Sequence, residues 1–260
     1  MPSLVGMADT IAPERLSPSG LAAPGQPLGR ALGQEDIART IQAFADAALL
    51  ARDAGFDGVE IHAAHGYLPD QFFWAATNQR QDRYGGPLRD RARFGAEIVA
   101  ACKARVGDDF HVQMRISQWK QSDYAARVAQ TPEDLADWLR PLVQAGVDMF
   151  HVSTRRYWDA AFPGRAPTLA GWVRRVTGTP VMAVGSVTLD RDFKAPDGKL
   201  RAETVPTQIA SIEDAISAGE FDMIAVGRAL LANPDWPQIV ASGALDRIKP
   251  FDRACLETLH

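Results

Sequence analysis

Five short apolar segments punctuate this chain: FDGVEIH (56–62), FHVQMRIS (110–117), VDMFHVS (147–153), PVMAVGSV (180–187) and FDMIAVGRA (221–229). Helical sequence separates each from the next. Residues 35–54 place Ile37, Ile41, Phe44, Ala48 and Ala51 on one face and stop at Gly55. Residues 88–106 do the same with Phe94, Ile98 and Cys102 and stop at Gly107. Thr131 is positioned to cap a third helix, with Pro132 at its first position and Glu133 and Asp134 in its first turn. Two more helices are expected around 168–177 and 211–218. Short apolar strands joined by helical crossovers build a parallel sheet from βαβ units, so the expected fold class is α/β.

The expected strands end in polar or glycine residues: His62, Arg115 and Ser117, Ser153, Gly185 and Ser186, Gly227 and Arg228. In a parallel sheet all these carboxyl ends open on one side, where ligands bind. A closed (β/α) barrel needs eight strands in roughly 250 residues, and five are legible here. Residues 1–34 are rich in Pro, Gly, Ser and Ala without a sustained period and read as an irregular leader. The chain is then expected to be an open sheet or the later part of a longer barrel.

Composition narrows the functional classes. A net charge of -4 offers no basic field for nucleic acid or an anionic membrane. Apolar runs stay well short of the roughly 18 residues of a membrane span, and MPSLVGMADT has no basic start or apolar core of a signal peptide. Cys102 and Cys255 form no CxxC pair, which speaks against zinc, iron–sulfur or disulfide frameworks and fits a reducing cytoplasm.

The stretch GFDGVEIHAAHGYLPDQF places His62, His65 and Tyr67 just past the first strand. Two histidines three apart can aim two donors at one carbonyl oxygen, each worth about 3 kcal/mol in a dry site. A phenol with a pKa near about 10 is matched to protonating a strongly basic carbanion or enolate. The same pair also fits a structural polar loop or part of a metal site, although no HExxH helix or acidic cluster follows. AVGSV and AVGRA offer glycines that let a phosphate approach backbone N–H groups, with Arg228 as a clamp. Tight strand-to-helix turns would use the same glycines. Arg115, at the end of an apolar strand, is expected to meet an anion, a carboxylate such as Glu60, or the open rim. STRRYWDAAFPG (153–164) reads as a lid or a packing loop, and Trp119, Trp138, Trp172 and Trp236 read as packing residues.

The segment AGFDGVEIHAAHGYLPDQFFWAATNQRQDRYGGPLRDRARF closely resembles the central signature of the Old Yellow Enzyme family of FMN-dependent NAD(P)H:flavin oxidoreductases, and the strands FHVQMRIS, AVGSV and AVGRALLANPDWP match its later motifs in order. The resemblance covers about residues 35–240. It implies a (β/α)8 TIM-barrel architecture with FMN as cofactor and NADH or NADPH as electron donor. It further implies that His62 and His65 hydrogen-bond the carbonyl of an enone or enal, that hydride from reduced FMN reaches the β-carbon, and that Tyr67 protonates the α-carbon. Arg115 matches the arginine against the flavin N1/O2 edge. Gly185, Gly227 and Arg228 match the phosphate-binding positions, with Ser186 beside them. Many relatives carry Asn where this chain has His65.

The departure lies at the front. The family begins with roughly a hundred residues carrying three barrel strands, and a leader stands in their place. The expectation is thus an N-terminally truncated barrel, with residues 35–260 as a partial FMN-binding domain and two exposed sheet edges that favour pairing with a second copy or aggregation. The rival functions are a catalytically inactive barrel remnant and a flavin-free barrel lyase or metal hydrolase built on His62 and His65.

Overall fold

The computed structural model describes residues 14–189 and 205–257; residues 1–13 of the expected leader lie outside the described residues. Residues 16–31, where the sequence shows no period, form two short ladders. β1 (Leu16–Ser17) pairs in parallel with β4 (Arg30–Ala31), and β2 (Leu21–Ala23) pairs antiparallel with β3 (Gln26–Pro27). These ladders are fixed from outside: Arg80 Nη1 donates to the carbonyls of Pro18 (2.8 Å) and Leu32 (2.6 Å).

Helix α1 (Gln34–Asp53) leads into β5 (Gly58–His65), the first of five parallel strands. β5 is followed by the short helices α2 (Leu68–Phe73) and α3 (Leu88–Arg91), then by α4 (Arg93–Val106) and β6 (His111–Lys120). Next come α5 (Pro132–Gln144), β7 (Met149–Ser153), α6 (Leu169–Thr177) and β8 (Val181–Val184). α7 (Val205–Ser217), β9 (Met223–Ile224), α8 (Arg228–Ala232) and α9 (Trp236–Ala241) complete the order. The strands lie in the sheet in sequence order, β5-β6-β7-β8-β9, all parallel. That is the barrel-type succession of βα units, open between β5 and β9.

Several expected boundaries move for local reasons. The expected helix 88–106 is two pieces meeting at Ala92. The last expected strand shrinks to two residues because Arg228 already belongs to α8. β5 runs three residues beyond His62, since the loop after it stays paired to the long β6 as far as His65 and Lys120. Thr131 caps α5 as expected, its Oγ1 accepting from the Asp134 N–H at 3.1 Å.

The strand alternation sorts the two faces of the sheet. Ile61, Ala63, Val112, Met114, Ile116, Phe150, Val152, Val181 and Ala183 are buried against Phe73, Phe94, Ile98, Leu135, Trp138, Leu142 and Val173. The opposite face, which would be a barrel interior, carries Glu60, His62, Gln113, Arg115, His151 and Ser153, beside the apolar Met149, Met182 and Val184. Residues 77–87, between α2 and α3, are held by bonds to their own backbone and to α2. Buried Asn78 donates to the carbonyls of Phe72 and Tyr84, both at 2.7 Å, and a Cβ on Gly85 would sit 1.9 Å from the Arg80 carbonyl oxygen.

Candidate active site

The site begins where β5 stops being regular. His65 has φ 62, a left-handed conformation that costs a residue with a Cβ of order 1 kcal/mol. Its surroundings hold it there. The His65 N–H donates to Ser117 Oγ at 2.9 Å, its carbonyl accepts from the Gln121 N–H at 3.3 Å, and its ring Nε2 lies 2.8 Å from Ser153 Oγ. The ring also stacks on Trp119 with centroids 4.3 Å apart. Beneath the loop, Asp70 and Lys120 form a fully buried ion pair at 2.7 Å, and the second Asp70 oxygen accepts from the Gly66 N–H at 2.7 Å. α2 and the end of β6 are thereby pinned to the His65–Gly66 turn.

The turn gathers three expected residues. The His62 ring lies 5.2 Å from that of His65 and 4.7 Å from that of Tyr67, both edge-on. Tyr67 caps α2 through its backbone and is 55% exposed. Burial, and then the Arg115 guanidinium, pull both histidine pKa values down, His65 to about 3. Both imidazoles are therefore neutral at neutral pH, each with one N–H to donate.

Arg115 sits beside His62 in the register of β5 and β6, and its Nη2 donates to Ser153 Oγ at 3.5 Å. Glu60 does not hold it in an ion pair. That carboxylate accepts instead from Gln113 Nε2 at 2.6 Å and lies 2.7 Å from His151 Nδ1. Burial raises the Glu60 pKa, but His151, Gln113 and Arg115 together outweigh it and leave it lowered. Arg115 Nε is buried with no hydrogen-bond partner among the described residues.

Arg115, Gly185, Ser186, Gly227 and Arg228 line one cavity of about 410 Å³, together with His65, Trp119, Tyr124 and Ser153. Gly185 is required there, because a Cβ would stand 2.6 Å from the Thr154 carbonyl oxygen. Among the described residues, no atom lies within 4 Å of where a Cβ on Gly227 would stand. Ser186 Oγ donates to the Arg155 carbonyl at 2.8 Å, which commits its hydroxyl to the β7 and β8 turns. His62 and Tyr67 are not in the cavity wall; His65 connects them to it. Trp119, expected to be packing, is a wall of the cavity, whereas Trp138 and Trp236 are core residues. The Asp70–Lys120 pair and the Ser153 contact gave no sequence signal, since each joins positions 50 or more residues apart.

The model of the NADH:flavin oxidoreductase / NADH oxidase family matches residues 8–247, including the ladders of the expected leader. The chain belongs to this family. Among its members, an NADH oxidase of Thermoanaerobacter brockii is 34% identical over 85% of this chain and 32% of its own length. An NADPH dehydrogenase of Geobacillus thermodenitrificans is 30% identical over 91% of this chain and 63% of its own. The solved structure of morphinone reductase in complex with tetrahydroNAD superposes with a TM-score of 0.70 at 25% identity, over 92% of this chain and 62% of that one. The chain thus spans from about a third to under two thirds of the length of these relatives.

Family membership implies FMN, with NADH or NADPH as electron donor. The residues present fit that group. The orphaned Arg115 Nε offers a donor to an electron-rich ring edge, the space before Gly227 admits a close-approaching group, and the cavity is within the range of cofactor sites. Among the described residues, no group of three His, Cys, Asp or Glu side chains could hold a metal. No described helix is long and apolar enough to cross a membrane.

Proposed function

We propose that this chain binds FMN and reduces the C=C bond of an α,β-unsaturated carbonyl compound at the expense of NAD(P)H. The observation that carries the reading is the contact of His62 with His65 and Tyr67, where His65 itself lines the cavity shared with Arg115, Gly185, Gly227 and Arg228. The redox chemistry, hydride accepted from NAD(P)H and passed to the β-carbon, is what FMN supplies when bound. Arg115 would face its N1/O2 edge, and Gly185, Gly227 and Arg228 its phosphate.

The chain's own residues bind, orient and protonate the substrate. With its proton on Nε2, His65 already donates toward Ser153 Oγ, so a substrate carbonyl takes over an aimed bond without turning the ring. His62 supplies the second donor. Both act as neutral donors because their lowered pKa values keep them from carrying charge. Tyr67 gives the proton to the α-carbon, and its exposure lets solvent return one.

The relatives' names fit unsaturated substrates: a Clostridium sporogenes protein 32% identical over 96% of this chain is a cinnamate reductase, and one from Arabidopsis thaliana is a 12-oxophytodienoate reductase. The rival is an inactive remnant, favoured by the five-stranded open sheet. Purified chain incubated with FMN decides between them. A bound flavin spectrum bleached by NADPH and restored by cinnamaldehyde under anaerobic conditions is expected. Colourless protein that retains no FMN after desalting would remove the proposal.

A further inference from the structure

A second cavity of about 180 Å³ opens off the first, lined by Gln118, Trp119, Tyr124, Arg127, Ser153, Thr154, Arg155, Arg156, Asp159 and three apolar residues. Trp119, Tyr124, Ser153, Thr154 and Arg155 line both cavities. Among the described residues, Arg127 and Arg156 bring two cations to this wall and Asp159 one anion. Asp159 is exposed and pairs with none of them among the described residues, and neither Arg127 nor Arg156 meets a carboxylate there. Arg155 lies 4.4 Å over the Tyr124 ring, and the Tyr124 ring is 5.6 Å from Trp119. The stack continues to His65, so a ladder of His65, Trp119, Tyr124 and Arg155 runs from the carbonyl-binding histidine to the arginine cluster. The strut under this wall is built. Buried Gln118 accepts from the N–H groups of Val128 (2.7 Å) and Ala129 (3.0 Å) and donates to the Ala129 carbonyl, fixing the loop that carries Arg127.

We infer that this side cavity is an anion subsite for a carboxylate carried by the substrate, on the end remote from its reacting double bond. The inference rests on the proposed ene-reductase reading for the substrate's other end. Ser153 fixes the distance scale: it touches His65 Nε2 at 2.8 Å and also lines the side cavity. A carbonyl bound at His65 therefore has the arginines within reach of an aryl or short alkyl spacer. Guanidinium groups suit a carboxylate because their paired N–H donors match its two oxygens. The carboxylate takes no part in the redox step; it selects and orients.

The test compares 4-[(E)-3-oxoprop-1-enyl]benzoate with its methyl ester, in which a methyl group removes that charge. Calorimetry on the flavin-free chain reads binding without activity. The acid is expected to bind the wild type at least about tenfold tighter than the ester. The variant Arg127→Gln/Arg156→Gln should lose that preference and keep the ester affinity, which also shows that it is folded. Arg127→Lys/Arg156→Lys should retain part of it. Equal affinities in the wild type, no binding of the acid, or a preference that survives the Gln variant would overturn the inference. So would a Gln variant, loaded with FMN, that changes only the NADPH-to-NADH ratio of kcat/KM, since the anion would then be the donor's phosphate. Failure of the ene-reductase reading looks different: acid and ester bind with the expected ratio, and neither is reduced.

Discussion

Replacing Lys120 with Met tests what holds the His65–Gly66 turn. Both side chains of the Asp70–Lys120 pair are wholly buried, and Lys120 Nζ also donates to the Ser117 carbonyl at 3.2 Å. Ser117 is the residue whose hydroxyl accepts from the His65 N–H. Removing the cation leaves the Asp70 carboxylate with one donor, the Gly66 N–H, in a dry site. Breaking one side of a buried pair costs about 3–5 kcal/mol. Asp70→Asn/Lys120→Met keeps an oxygen for the Gly66 N–H and carries no charge, so it should recover most of that loss. Burial, partly offset by Lys120, already raises the Asp70 pKa to about 6. Asp70 therefore binds its proton more tightly folded than unfolded, and stability falls as pH climbs above the unfolded value of about 3.9 until the folded value is passed. In the wild type that loss ends near pH 6. In Lys120→Met it continues, at up to about 1.4 kcal/mol per pH unit. Urea unfolding followed by far-UV circular dichroism at pH 6 and pH 7 measures both effects. A single variant destabilised by less than about 1 kcal/mol, or a double variant as unstable as the single, would refute the anchoring role.

Three further outcomes are expected. Tyr67→Phe should leave reduction of bound flavin by NADPH nearly intact and slow its reoxidation by an enal by roughly 10²–10⁴-fold; equal slowing of both half-reactions in stopped-flow would remove Tyr67 as the acid. Arg228→Ala should weaken FMN binding, measured by flavin fluorescence titration, by about tenfold or more through loss of a charge-assisted bond to phosphate, and an unchanged Kd contradicts the assignment. Gly185→Ala places a Cβ 2.6 Å from the Thr154 carbonyl oxygen and 2.8 Å from its Oγ1, so β8 must shift from β7. A thermal melt should show a loss on the order of 1–3 kcal/mol, and a Tm equal to wild type would mean that the turn yields freely.

The parallel sheet was legible because its causes are local. Each βα unit writes its own apolar strand, its helical period and its cap, as at Thr131, and the order of strands in the sheet follows their order in the chain. His62, His65 and Tyr67 were legible for the same reason: all three lie within six residues at the end of one strand and the start of the next helix. The short ladders of residues 16–31 were not, since Arg80, outside the segment, supplies the bonds that pin them. Nor was the partner of Glu60. Strand order sets β7 beyond β6, and the inward alternation of both strands delivers His151, not Arg115, to that carboxylate. Trp119 looked like any packing tryptophan until the fold stacked it on His65 and made it the wall between two cavities. Periodicity records which face a residue occupies. Only tertiary structure, by closing distances between residues far apart in the chain, decides which polar groups meet on that face and which ring a histidine rests against.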